Sequence, residues 1–132
     1  MDKKAWVVAN TKWLEHKAQE EGVMSLAGGT CYRVITSGDD GGEHPTASSV
    51  ISAHYTGRLI DGRQFDTSLG GAPLAIRPRD LIKGWQVALG AMRVGDKWEV
   101  YIPASMGYGK FAQPGIPGGS TLVFEIELLR ID

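Results

Sequence analysis

The chain has 132 residues, of which 42% are hydrophobic and 22% are charged, and its formal net charge is -1. This length suits a single domain with a real core, and the proportions are typical of a soluble globular protein. The near-neutral charge argues against nucleic-acid or membrane-surface binding, which usually needs a basic excess, and no stretch is apolar enough to span a bilayer.

An N-terminal helix is predicted over residues 3–21, with Asp2 as its cap and Gly22 as its end. Helical spacing places a stripe of larger side chains on one face of this helix. We expect the stripe to pack against the body of the fold, and self-association is the alternative. Its members are Trp6, Val7, Asn10, Trp13, Leu14, Lys17 and Ala18.

From Thr30 onward the pattern changes to the alternation of β-strands, with turns predicted at Asp61-Gly62 and Gly95-Asp96. A polar loop, "GDDGGEHPTASS", separates the first two strands, and "GWQVALGAM" is the internal helix candidate. These elements predict an α+β fold, in which an antiparallel sheet packs one face against a short helix. The predicted strands lie in "TCYRVITS", "VISAHYTGRLI", "APLAIRP", "KWEVYIP" and "TLVFEIELLRI".

Metal-dependent and covalent chemistry find no support in the residue pattern. The three histidines, His16, His44 and His54, lack the spacing of metal ligands, and no serine lies in a nucleophile turn. Neither a metal nor a cofactor is therefore expected. What stands out instead is a set of large apolar residues near strand ends and loops, where function gathers. The set comprises Tyr55, Phe65, Leu74, Ile82, Trp85, Tyr108, Ile116 and Phe124.

The single cysteine, Cys31, has no partner for an internal disulfide, which fits a reducing compartment. The N-terminal residues contain no apolar run of signal-peptide length. A cytoplasmic location is therefore expected, with the periplasm or secretion as the alternative if a signal peptide has been removed.

Three long motifs, in order, resemble the FKBP family of peptidyl-prolyl cis-trans isomerases. They are "HYTGRLIDGRQFDTS", "LIKGWQVALGAMRVGDKWEVYIPASMGYG" and "GIPGGSTLVFEIELLRI". The resemblance implies a twisted antiparallel sheet wrapped around one short helix. It divides the chain into a helical arm and linker, 1–28, and an isomerase domain, 29–132.

The arm resembles one bacterial branch of the family more specifically. "WLEHKAQEEGV" followed by "YRVITSG" is similar to the macrophage infectivity potentiator proteins, in which a helix leads into the isomerase domain. The N-terminal dimerisation domain of that branch has no counterpart in this sequence, so a monomer is expected.

The resemblance also implies a proline-binding pocket with Trp85 as its floor and aromatic side chains as its walls. The backbone N–H of Ile82 and the hydroxyl of Tyr108 would bond to carbonyls of the bound peptide. Asp66 would be a fixed hydrogen-bond partner at the wall, held by the Tyr55 hydroxyl, and would move no proton. The implied catalytic residues are Tyr55, Phe65, Asp66, Ile82, Trp85, Tyr108 and Phe124, and the further substrate-binding residues are Leu74, Leu81, Gln113 and Ile116.

Three positions depart from the family pattern. Leu74 stands where the family has an aromatic wall residue, and Gln113 stands where a histidine is common. The usual "IPP" reads Ile116-Pro117-Gly118, so Gly118 stands in place of its second proline, in a slightly shorter loop. These departures bear on substrate preference and on inhibitor affinity.

The expected function is isomerisation of Xaa-Pro bonds in unfolded or flexible chains, with tacrolimus and rapamycin as inhibitors. The alternative is a non-catalytic module that holds proline peptides or a partner in the same pocket. Taken singly, Trp85 and Phe124 would be read as core residues and Tyr108 as a loop anchor. The order in which they occur together favours the isomerase.

Overall fold

The computed structural model describes residues 1–38 and 41–132, so two residues of the predicted polar loop, 39 and 40, lie outside the described residues. Two α-helices, α1 (Lys3–Ala18) and α2 (Lys83–Ala91), accompany a seven-stranded sheet. The strands are β1 (Val23–Ser25), β2 (Cys31–Thr36), β3 (Ile51–Arg58), β4 (Gln64–Thr67), β5 (Leu74–Ile76), β6 (Lys97–Ile102) and β7 (Leu122–Ile131).

The strands pair antiparallel in the order β1-β2-β6-β7-β3-β4, and β5 pairs with β3. This arrangement confirms the predicted α+β fold, with its antiparallel sheet, short internal helix and N-terminal helix. β7 lies between β6 and β3, so its residues occupy the middle of the sheet. The predicted inward face of β7 is buried, and it consists of Leu122, Phe124, Ile126 and Leu128.

α2 buries Trp85, Ala88 and Leu89 against the sheet, at the spacing of one helical face. Gly84 allows the close approach, because a Cβ at this position would lie 2.4 Å from Cγ2 of Ile102 in β6. The core of the domain therefore lies between this short helix and the sheet.

The N-terminal helix begins as predicted but ends earlier. The Ala5 N–H donates to Oδ1 of Asp2 at 2.7 Å, which caps the first turn. The helix ends at Ala18, with Gln19 as its C-cap, and not at residue 21. Turns follow it because the chain must reverse into β1, which pairs with β2 and was not predicted.

The predicted stripe on α1 packs against the body of the fold at several points. Asn10 is buried, Trp6 and Trp13 are half-buried, and Val7 is exposed. The Trp13 ring meets the ring of Tyr101 in β6 edge-on, with 5.8 Å between centroids.

In the described ranges, no helix is both long enough and apolar enough to cross a membrane. The boundary between arm and isomerase domain at residues 28 and 29 stays a prediction.

Candidate active site

Four aromatic rings from four elements meet at one end of the core. They belong to Tyr55 in β3, Phe65 in β4, Trp85 in α2 and Phe124 in β7. The Trp85 centroid lies 5.3 Å from those of Tyr55 and Phe124, and the Phe65 and Phe124 centroids are 5.5 Å apart. The interplanar angles of these three pairs, 85°, 78° and 89°, are the edge-to-face geometry that aromatic pairs prefer. The cluster thus presents apolar rings in fixed orientations.

Gly57, which was not among the predicted site residues, makes room for two of these rings. It faces Phe124 of β7 and Asp66 of β4 in the strand register. A Cβ on Gly57 would lie 2.6 Å from Cζ of Phe65 and 2.7 Å from Cε1 of Phe124. The available signal was a glycine inside a strand pattern, which often marks a close approach.

The Tyr55 hydroxyl donates the predicted hydrogen bond to Asp66, at 2.6 Å from Oδ2. Asp66 is exposed on β4, so its carboxylate keeps contact with solvent while fixing the hydroxyl. Burial, followed by the hydrogen bond and charge of Asp66, raises the pKa of Tyr55 to about 12. The hydroxyl therefore stays a donor throughout the neutral range.

This pKa gives a test of the Tyr55–Asp66 pair. An unfolded tyrosine ionises near pH 10, so folded Tyr55 should keep its proton from about pH 10 to 12. Its contribution to the free energy of unfolding is present below pH 10 and is lost as the pH rises through this window. A tyrosinate absorbance titration of wild type minus Tyr55→Phe should show Tyr55 ionising near pH 12, and Asp66→Asn should move this step lower. Ionisation of Tyr55 near pH 10 in the folded protein would contradict the pairing.

Ile82 lies at the N-terminus of α2, where helices leave N–H groups without intrahelical partners. Its carbonyl accepts the N–H groups of Trp85 and Gln86. Within the described part of the chain, no acceptor pairs with the Ile82 N–H itself. This donor sits three residues before the ring of Trp85 and is available to a carbonyl of a bound peptide.

The loop between β6 and β7 brings further predicted residues to the rings. Ile116 is buried in the core cluster that contains Trp85 and Phe124. The backbones of Gln113 and Ile116 exchange two hydrogen bonds, of 2.9 and 2.8 Å, and a Cβ on Gly115 would lie 3.4 Å from Cβ of Phe65. The tip of the loop therefore packs beside Phe65.

The remaining predicted residues lie around this centre at differing depths. Tyr108 is exposed on the loop between β6 and β7, and its electrostatic effect is the smallest of the causes that raise the pKa of Tyr55. Gln113 is also exposed, on the tip of the loop. Leu74, Leu81 and Ile82 are partly buried against the core cluster. The functional roles of all these residues stay predictions.

A separate groove runs along the N-terminal helix. It has a volume of about 1000 Å³ and lies between α1 and the segments that hold Gly29, Pro103 and Gly119. None of the predicted site residues is among the described residues that line it. The groove is thus distinct from the aromatic cluster.

Residues 41–129 match the family described as FKBP-type peptidyl-prolyl cis-trans isomerase. The match covers more than half of the chain, so the protein belongs to this family. The solved structure of a peptidyl-prolyl cis-trans isomerase from Pseudomonas syringae pv. tomato is similar to it, with a TM-score of 0.90 and 34% identity. That likeness covers 100% of this chain and 97% of the other.

Two curated relatives support the more specific resemblance to the macrophage infectivity potentiator branch. The FKBP-type 22 kDa peptidyl-prolyl cis-trans isomerase of Escherichia coli (strain K12) is 44% identical over 96% of this chain. The macrophage infectivity potentiator of Trypanosoma cruzi is 40% identical over 90% of it. The chain spans 62% and 61% of the lengths of these two relatives. The predicted resemblance to this branch is confirmed.

Proposed function

We propose that this protein is a peptidyl-prolyl cis-trans isomerase that speeds rotation about Xaa-Pro bonds in unfolded or flexible polypeptides and so assists their folding. The observation that carries the proposal is the four-ring cluster with the Tyr55 hydroxyl tied to Asp66 at 2.6 Å. Membership of the family supports the activity. The same family membership is the ground for proposing unfolded or flexible polypeptides as its substrates.

The reaction breaks no bond, so the site must act on the rotation barrier alone. Amide resonance sets this barrier at about 18–20 kcal/mol, and unaided isomerisation takes tens to hundreds of seconds. A rate acceleration of about 10⁵-fold requires roughly 7 kcal/mol of preferential binding to the transition state. The planar amide is the more polar form and gains most from water. An apolar pocket of rings that excludes water therefore favours the twisted amide.

The polar groups at the rim would hold the peptide while it twists. The Ile82 N–H and the Tyr108 hydroxyl would donate to carbonyls that flank the proline. The Asp66 carboxylate fixes the Tyr55 hydroxyl and takes no part in proton transfer. Trp85, at 3% exposed, supplies a dry floor under the proline ring.

The apolar surroundings lead to a prediction about substrate preference. Leu74, Ile82 and Ile116 offer no charge to the residue before proline, so an acidic side chain would be desolvated without a partner. In a series of peptides that differ only at this residue, Leu-Pro and Phe-Pro should be turned over about tenfold faster than Glu-Pro. The measurement is kcat/KM in a proline-peptide isomerisation assay.

Rapamycin supplies the matched control, because its pipecolinyl ring resembles proline and should occupy the space over Trp85. It should abolish turnover of all three peptides, and tacrolimus should do the same. Binding of rapamycin without turnover of any peptide would instead identify a non-catalytic module that holds proline peptides. Equal rates for the acidic and apolar peptides would contradict this description of the pocket.

We further propose a monomer located in the cytoplasm. The monomer is supported by α1, whose Trp13 and Lys17 side chains are already engaged by Tyr101 of the same chain. The location is supported by Cys31, a buried free cysteine that has no second cysteine with which to form an internal disulfide, which fits a reducing compartment. The periplasm or secretion is the alternative.

A further inference from the structure

The N-terminal helix touches the loop that carries part of the site. We infer that Trp6 and Ser120 are positioning residues, which hold the substrate loop, defined as residues 107–121, in its binding-competent conformation. The inference rests on the proposed function, because the substrate loop contains Tyr108, Gln113 and Ile116. The N-terminal arm, residues 1–28, would thereby have a role in substrate binding that no pattern in the sequence indicates.

The first connection is a continuous chain of hydrogen bonds. The indole Nε1–H of Trp6 donates to Oγ of Ser120 at 2.9 Å, and the Ser120 hydroxyl donates to the carbonyl of Pro117 at 2.5 Å. Ser120 is 4% exposed, so water competes little for its hydroxyl. Because the indole can only donate, it leaves the hydroxyl proton free to point at Pro117, the residue directly after Ile116.

The second connection fixes the helix itself to the end of the loop. Oδ1 of Asn10, which is 1% exposed, accepts the backbone N–H of Thr121 at 2.8 Å. The Asn10 amide nitrogen donates to the carbonyl of Trp6, also at 2.8 Å. A buried amide without these partners would be costly. The position of Trp6 is thus set by the same residue that anchors the loop end.

Within the loop, further backbone bonds join the anchored end to the tip. The Gly119 N–H donates to the carbonyl of Gly109 at 2.8 Å, and Gln113 and Ile116 pair across the tip. The tip packs beside Phe65, as described for Gly115. A change at Ser120 is therefore expected to reach Ile116 through three intervening residues, without disturbing the rings below.

Loss of the hydrogen bonds that join Trp6, Ser120 and Pro117 should lower the fraction of molecules whose substrate loop is in the binding-competent conformation. Apparent affinity falls in proportion to that fraction, while the chemistry in the bound state is unchanged. The signature is therefore a higher KM with little change in kcat. A residue that merely stabilised the fold would lower the melting temperature and leave KM of the folded protein alone.

The test compares Trp6→Phe, Ser120→Ala and the double variant with Trp13→Phe as the matched control. Trp13 lies on the same helix, and its ring packs edge-on against Tyr101 of β6. Each readout is taken on folded protein: kcat and KM for a Leu-Pro peptide, and amide hydrogen exchange at Ile116 and Gly119. The exchange readout needs no catalysis, so it decides the inference even if wild type turns over no peptide and the proposed function fails.

We expect Trp6→Phe and Ser120→Ala each to raise KM and to speed Ile116 exchange by about three- to tenfold, as the loss of one net hydrogen bond implies. kcat should stay within about twofold, and the double variant should match either single variant because the two bonds act in series. Trp13→Phe should change neither readout. Unchanged exchange at Ile116, a strictly additive double variant, or an equal effect from Trp13→Phe would overturn the inference.

Discussion

Gly57→Ala is expected to lower kcat/KM about a hundredfold, the loss that misplacement of a site by about 1 Å can cause. The added methyl would lie 2.6 Å from Cζ of Phe65 and 2.7 Å from Cε1 of Phe124, so both rings must move. The backbone φ of Gly57 is not positive, so the cost arises from contact and not from backbone strain. Overpacking of this kind should also lower the free energy of unfolding by about 1–3 kcal/mol.

Gly90→Ala is the matched control for this substitution. Gly90 lies in α2, and a Cβ there would meet nothing within 4 Å. Alanine should raise the free energy of unfolding by about 0.5–1 kcal/mol and leave turnover intact. Isomerisation assays and denaturant unfolding on both variants make the comparison. If Gly57→Ala keeps kcat/KM within about twofold of wild type, the orientation of the wall rings does not limit catalysis.

Phe124→Ala should combine a large loss of stability with a large loss of activity. Phe124 is 4% exposed, and its ring meets the edges or faces of Tyr55, Phe65 and Trp85. Removing it should lower the free energy of unfolding by about 3–5 kcal/mol and open the floor of the pocket to water. Turnover per folded molecule should then fall by about tenfold or more, since the twisted amide loses its apolar surroundings.

Leu128→Ala separates the two effects of Phe124→Ala. Leu128 lies on the same face of β7, is fully buried and does not belong to the four-ring cluster. It should cost about 2–5 kcal/mol of unfolding free energy, while turnover per folded molecule stays near the wild-type value. Urea unfolding gives the stability of each variant and fixes the folded fraction in the assay. Equal turnover by folded Phe124→Ala and Leu128→Ala would remove Phe124 from the site.

The elements predicted best from the sequence are those long enough to show a periodic alternation of buried and exposed residues. β7 alternates over ten residues in the middle of the sheet, and its buried face was read directly from this period. β1 has three residues, too few to show any period, and it was missed. The end of α1 was placed too late because the pairing of β1 with β2, a tertiary interaction, decides where the helix must stop.

The site was predicted only through the resemblance to a family. Its four rings come from four elements between residues 51 and 131, and no periodic pattern indicates that they meet. The bond between Trp6 and Ser120 joins residues 114 positions apart, which is equally invisible to local rules. The reading of Trp85 and Phe124 as core residues was not an error, because both are buried and both also form the cluster.

Asp66 was also placed at the pocket wall by the resemblance alone, although strands rarely carry an aspartate. An aspartate can occupy this strand position because its side chain is exposed on β4 and one of its oxygens accepts a hydrogen bond from the Tyr55 hydroxyl. The central claim is that this carboxylate shapes the rim of an apolar pocket and transfers no proton. Asn keeps an oxygen that accepts the same bond, whereas Leu leaves the hydroxyl without its partner.

The most direct measurement is the pH dependence of kcat/KM for wild type, Asp66→Asn and Asp66→Leu, each checked for folding. The pKa of Tyr55, about 12, keeps its hydroxyl protonated throughout the range. We predict a nearly flat profile between about pH 6 and 8, a loss of no more than about threefold for Asp66→Asn and a larger loss for Asp66→Leu. A bell-shaped profile near neutrality that disappears in folded Asp66→Asn, with a loss of about 10²-fold or more, would contradict this account and require general acid–base catalysis.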